Sequence, residues 1–260
     1  MNEVLRRLIT AILCIFYTLT LTWSNIYLAC FYYFSLVLIS LFEYHYQIDS
    51  TRKKITIVLT TVIYIICNLY IVTGVDFLSY IIPIIMSLFG IELFFGEGKP
   101  MLNIGTDLIG IVWICAPLTS CILLSQISGT YDPRIVYGIM IFVFVNDAGA
   151  YFVGKRFGKT KLFPSISPNK TWEGTIGGVI ISLLCYPFVM EMGHISRFDW
   201  CVIAGISIIF GSIGDLIESM FKRDLKIKDT GNILPGHGGV NDRIDSLLFT
   251  VPLVYWYLTL

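Results

Sequence analysis

The sequence predicts an all-α fold, a polytopic bundle of membrane-spanning helices, and three observations carry that prediction. Hydrophobic residues make up 56% of the chain and charged residues 14%, with a mean hydropathy of +0.77; soluble domains carry about 25% charged residues. Apolar runs of about 20 residues, long enough to cross a hydrocarbon layer, recur along the chain. When those runs are treated as spans, the basic residues fall almost entirely on one side. The formal net charge is zero, which argues against bulk attraction to nucleic acid, and no nucleic-acid partner is expected.

Taken in order, nine spans are expected, near 7–22, 25–44, 55–73, 77–95, 104–125, 135–153, 174–192, 201–221 and 244–260. Arg6 and Arg7 before the first run imitate a signal peptide, and Leu28-Ala29-Cys30 resembles a lipoprotein cleavage site. Further spans follow at once, so the first helix is read as retained. The short Thr22-Trp23-Ser24-Asn25 link makes the first two spans a tight helical hairpin. With the N-terminus in the cytoplasm, sixteen of the eighteen basic residues lie inside and only Arg134 and Arg197 outside. Loops 154–173 and 222–243 then face the cytoplasm, where nucleotides are. The seven cysteines, at 14, 30, 67, 115, 121, 185 and 201, have no CxxC spacing and read as small buried hydrophobes.

Residues 1–133 are expected to be mainly structural transmembrane helices and 134–260 to form the catalytic membrane region. Glu43, Glu92 and Asp107, near span ends in the first part, read as interfacial residues reaching the headgroup level. The second part is richer. Asn146-Asp147 sits well inside an apolar segment, and a carboxylate there costs roughly 3 kcal/mol unless it faces a hydrated cavity or a cation. Gly154 to Lys161 contains Gly158-Lys159-Thr160, but the glycine spacing is one residue short of a P-loop and no strand precedes it. The next stretch, Ser165 to Gly174, interleaves Ser, Thr, Asn and Lys with Pro and Gly, which fits phosphate binding. Ser167, Lys170 and Thr171 are the candidates. Gly174, Gly177 and Gly178 open the seventh span and include a GxxxG spacing, which permits close helix contact or, equally, a close approach of the backbone to a ligand.

The densest chemistry lies in 211–245. In a helix, Asp215, Glu218, Ser219 and Lys222 fall at i, i+3, i+4 and i+7 and share a face. Asp242 and Asp245 are likewise three apart. Carboxylates gathered in this way repel one another unless a cation sits among them, and hard oxygen ligands suit Mg²⁺. Between the two pairs, Pro235-Gly236-His237-Gly238-Gly239 offers backbone N–H groups that can approach a phosphate closely. His237, with a glycine on each side, either shapes this turn or carries a proton.

Ser219-Met220-Phe221-Lys222-Arg223, Lys228-Asp229 and the unbroken run Leu234 to Asp245 closely resemble the signature of the phosphatidate cytidylyltransferases, or CDP-diacylglycerol synthases. Asp147 to Tyr151 and Ser167 to Gly174 extend the resemblance, with Asn169 where members often have a second lysine. Motif-level similarity covers about 146–246. The resemblance implies a polytopic enzyme that joins CTP to phosphatidate, giving CDP-diacylglycerol and pyrophosphate for phospholipid synthesis. It implies metal binding by Asp215, Asp242 and Asp245, with Asp147 contributing, to Mg²⁺ and a second cation. Lys222, Arg223 and Lys228 would neutralise the triphosphate. Ser167, Lys170, Thr171, Ser219, His237, Gly238, Gly239 and Arg243 would bind substrate. It further implies a homodimer among membrane lipids. The compact length fits a protein of the bacterial inner membrane with its active site toward the cytoplasm. The rivals are a CTP-dependent polyprenol or phytol kinase, which would release CDP, and an ion-coupled transporter. A CDP-alcohol phosphatidyltransferase is disfavoured, because its DG…AR…G…D…D pattern is missing.

Overall fold

The structure, a computed structural model, describes residues 3–48, 53–73, 81–96 and 98–260. It is built from eleven helices and one small hairpin among the described residues: α1 (Glu3–Ser24), α2 (Ile26–Gln47), α3 (Lys53–Thr73), α4 (Ile81–Phe95), α5 (Pro100–Gly110), α6 (Ala116–Leu124), α7 (Arg134–Phe157), β1 (Lys161–Phe163), β2 (Ser167–Thr171), α8 (Trp172–Leu184), α9 (Tyr186–Val189), α10 (Arg197–Asp224) and α11 (Asn241–Leu258). Seven helical stretches among the described residues are long and apolar enough to cross a membrane, and the chain is an integral membrane protein. Two of the nine expected spans differ. In the fourth, 77–80 lie outside the described residues, and α4 has 15 residues. The ninth, α11, opens with Asp242, Arg243 and Asp245, too many charges for a simple apolar span.

The chain forms two compact units, Met1–Leu123 with Asp229–Asp242, and Leu124–Lys228 with Arg243–Leu260. In the first, the segment 229–242 is hydrogen-bonded to α1 and α2. The unit's opening hairpin forms as the short link predicts: Asn25 caps α2 by accepting from the Leu28 N–H at 3.0 Å. Thr18 and Tyr32 bond across the two helices at 2.9 Å. Between α5 and α6 the helix widens into one π turn over Ile111–Cys115. Pro117 accounts for it, since its missing N–H and its ring disrupt the regular bond to the carbonyl four residues back.

In the second unit α7, α8 and α10 pack through small residues. A Cβ on Gly178 would lie 2.6 Å from the Asn146 carbonyl oxygen of α7, and one on Gly177 2.5 Å from Val153. The glycines that open α8 therefore serve close contact with α7, the first of the two uses their spacing allows. Ser182 Oγ donates to the Phe142 carbonyl at 2.8 Å, and Asn146 Nδ2 to Ser212 Oγ at 2.9 Å, so these two buried donors are paired across the helices. Before α7, Asp132 accepts from the Arg134 side chain at 2.8 Å and its backbone N–H at 3.0 Å. The Arg134 bond holds the Asp132 carboxyl below its ordinary range.

The Gly178→Ala variant is expected to lose about 1–3 kcal/mol through overpacking. Melting followed by tryptophan fluorescence in detergent should show a midpoint several degrees lower. Gly205→Ala in α10, where a Cβ meets nothing within 4 Å, should leave the midpoint unchanged or slightly raised.

Candidate active site

The second unit brings together six candidate side chains, Asp147, Lys170, Asp215, Ser219, Lys222 and Asp245. Asp215, on α10, receives Lys170 Nζ of β2 at 2.6 Å and Ser219 Oγ, one turn along, at 3.3 Å. Asp147 of α7 lies within electrostatic range of Asp215, Asp245 and Lys170, and its carboxylate meets Ser246 Oγ at 3.5 Å. Asp245 is buried, beside Glu218 and within electrostatic range of Lys222 and Asp215. Lys222, buried as well, lies 3.5 Å from Glu218 Oε1. The 3.6-residue helical period produces this: Asp215, Glu218, Ser219 and Lys222 share one face of α10. Glu218 was visible in that spacing, but only its burial and partners reveal it as a member of the group.

In donor chemistry the group fits a hard divalent cation. Asp147, Asp215, Glu218 and Asp245 offer only oxygen, and they outnumber the ammonium groups of Lys170 and Lys222 two to one. Carboxyl groups as close as Glu218 and Asp245 repel unless a proton or cation lies between them. Among the described residues, however, no three His, Cys, Asp or Glu side chains converge closely enough to enclose an ion.

The loop between α7 and α8 is a two-stranded antiparallel hairpin, with Lys161 opposite Thr171 and Phe163 opposite Ser167. Ser167 and Lys170 lie on β2, and Thr171 Oγ1 caps α8 by accepting from the Gly174 N–H at 3.2 Å. Thr171 thus has a local structural task. Glu173 accepts the N–H groups of Lys159 at 3.0 Å and Thr160 at 3.1 Å. In a P-loop those amides would face phosphate; here a carboxylate takes them, the physical counterpart of the spacing argument. Arg223 is exposed and donates to the carbonyls of Ile166 at 3.2 Å and Ile227 at 3.1 Å, so it ties the hairpin to the end of α10. Lys228 and Arg243 are exposed.

The glycine-rich turn belongs to the first unit. His237 N–H donates to Leu234 O at 2.9 Å and Leu234 N–H to Gly238 O at 3.0 Å. Gly236 and Gly238 take positive φ of 79° and 87°, the left-handed backbone that favours glycine. Asp242 Oδ2 accepts from Gly239 N at 2.9 Å, Thr230 N at 2.8 Å and Thr230 Oγ1 at 2.9 Å. This oxygen locks the loop, and the Gly239 amide is already engaged. Glu43, Glu92 and Asp107 correct the interfacial reading: they are 3%, 6% and 3% exposed, with Glu43 bonded to the loop's backbone and Glu92 to Asn103 Nδ2 at 3.0 Å.

Comparison with known proteins agrees with these motifs. Proteins named phosphatidate cytidylyltransferase are similar to this chain: that of Bacillus subtilis (strain 168) is 44% identical over 132 residues, 50% of this chain and 49% of the relative. That of Staphylococcus aureus (strain COL) is 47% identical over 123 residues, 46% of each. That of Staphylococcus epidermidis (strain ATCC 35984 / RP62A) is 45% identical over 124 residues, 46% of this chain and 47% of the relative. The chain thus spans about half the length of the curated relatives it matches. The model of one family, described as the cytidylyltransferase family, matches residues 5–260. On that match over nearly its whole length, the chain belongs to the cytidylyltransferase family.

Proposed function

We propose that the protein transfers a cytidylyl group from CTP to phosphatidate, giving CDP-diacylglycerol and pyrophosphate. The observation that carries this is the contact between Lys170 and Asp215, which joins two motifs of the sequence within one carboxylate and ammonium cluster, in a family whose similar members bear that name. A phosphate oxygen of the lipid bonds to the α-phosphorus of CTP, and the α–β anhydride bond breaks as pyrophosphate leaves. Phosphatidate is already an anionic nucleophile at neutral pH, so no general base is required. The obstacle is negative charge meeting negative charge, and positioning with electrostatic stabilisation supplies the rate.

Asp147, Asp215 and Asp245 would hold Mg²⁺ and a second cation, whose chemistry is to draw charge off the phosphate oxygens. Lys170 and Lys222 neutralise phosphate charge, and Ser219 orients Asp215. Asp242 enters through its place in the Leu234–Asp245 motif, with Ser167, Lys228, Arg243 and the turn around His237 as further substrate contacts. Orientation, homodimerisation and placement in a bacterial inner membrane, with the active site at the cytoplasmic headgroup level, complete the reading. One substrate is soluble and the other has its acyl chains in lipid, so the reaction belongs at that boundary.

Purified protein in mixed micelles should release pyrophosphate only when CTP, phosphatidate and Mg²⁺ are all present, and chelation should stop it. Appearance of CDP in place of pyrophosphate, or substrate flux without nucleotide turnover, would replace this reading with the lipid kinase or the transporter.

A further inference from the structure

Glu43 lies in α2, remote in sequence from every motif that resembles the family. Its side chain is buried, and both carboxylate oxygens are committed to the segment that leads into α11. Oε1 accepts from Val240 N at 2.9 Å and Oε2 from Asn241 N at 3.0 Å. Thr230 Oγ1 approaches Oε2 at 3.4 Å. These backbone N–H groups, at the beginning of a helix, have no intrahelical partner, so the buried carboxylate takes the place of a local cap. Asn241 Nδ2 adds a bond to the Ser40 carbonyl at 3.0 Å, Thr10 Oγ1 one to the Pro235 carbonyl at 3.0 Å, and Gln47 Nε2 one to the Thr230 carbonyl. A Cβ on Gly231 would fall 2.7 Å from Glu43 Oε1, and one on Gly239 2.8 Å from Oε2. Both glycines are therefore where the loop closes directly upon this carboxylate.

Thr230 links two acids. Its hydroxyl touches Glu43 on one side and Asp242 Oδ2 on the other, and Asp242 also binds the Thr230 and Gly239 amides. Moving the Glu43 carboxylate would disturb Thr230, then Asp242 and the glycine turn.

We propose that Glu43 is a positioning residue for the reaction: it fixes the geometry of Asp242 and the Gly238-Gly239 turn through Thr230 and the first amides of α11. This rests on the proposed cytidylyl transfer. The chemistry needs a carboxylate because two converging N–H donors require two acceptors on one side chain. Glutamine supplies one and turns an NH₂ group toward the other donor.

The test compares Glu43→Gln and Glu43→Asp in the full-length protein in micelles, reading kcat and KM for CTP well below the melting temperature, with amide hydrogen exchange by mass spectrometry. In Glu43→Gln, kcat should fall about tenfold, the scale of one lost charge-assisted hydrogen bond, and exchange should rise in 229–242 but not in α7. Glu43→Asp, shorter but with two acceptors, should keep more activity than Glu43→Gln. A role in packing alone predicts the reverse order, because glutamine preserves the volume. That order, or parental kcat with unchanged exchange in 229–242, overturns the proposal. If the parent releases no pyrophosphate, the cytidylyl-transfer reading falls and exchange alone decides the anchor: a rise confined to 229–242 in Glu43→Gln upholds it, and no rise removes it.

Discussion

Replacing Asp215 by asparagine is expected to reduce pyrophosphate release by roughly 10³-fold, the scale set by losing a group aimed at charge in the transition state. Asparagine keeps the shape and the oxygen that meets Ser219 Oγ, so the α10 face should persist. It loses the negative charge that holds Lys170 Nζ at 2.6 Å and that acts on Asp147 and Asp245. Both members of the Lys170 pair are partly exposed, with side chains 26% and 29% accessible, so their contribution to folding is small. The expected signature is therefore a large fall in kcat with the melting midpoint nearly unchanged. Initial rates across a Mg²⁺ titration check it. A variant within tenfold of the parent, with the same metal dependence, would remove Asp215 from the site.

The second large effect should come from Lys222→Met, and here stability and activity should fall together. Lys222 and Glu218 are 9% and 5% exposed, and the ammonium group also faces Asp245. Removing one partner of a buried ion pair leaves the other charge uncompensated, at a cost of roughly 3–5 kcal/mol. Melting in detergent should show a fall of many degrees. Glu218→Gln in the same chain should restore part of the midpoint, since it removes one of the two carboxylates the ammonium faced and leaves Asp245, and the double variant should stay inactive if Lys222 neutralises phosphate. Comparing the two single variants with the double one isolates the coupling. Recovery of activity together with stability would show that Lys222 serves only the fold.

The helices were legible because hydropathy over about 20 residues leaves little choice of structure in a membrane. The Asp215, Ser219 and Lys222 face was legible because helical periodicity converts spacing into proximity. What spacing could not disclose was any partnership across the chain. Glu43 looked like a lone acid near the end of an apolar run, and its bonds to Thr230 and Asn241 cross separations of 187 and 198 residues. Asp242 looked equivalent to Asp245, yet one oxygen of Asp242 is occupied by three loop donors and Asp245 lies against Glu218. Glu173 was visible only as part of the Ser167–Gly174 motif, and its role in holding the Lys159 and Thr160 amides depends on a hairpin too short to announce itself by alternation.

The bonds of Glu43 also have a timetable. Thr230 is made 187 residues after it, and at about 5–20 residues per second synthesis takes on the order of 10–40 s to reach that point. For that interval α2 has its neighbour α1 but not the amides that will receive the carboxylate. The ribosome thus delivers a helix whose acid waits for its backbone donors until residues 230–241 arrive.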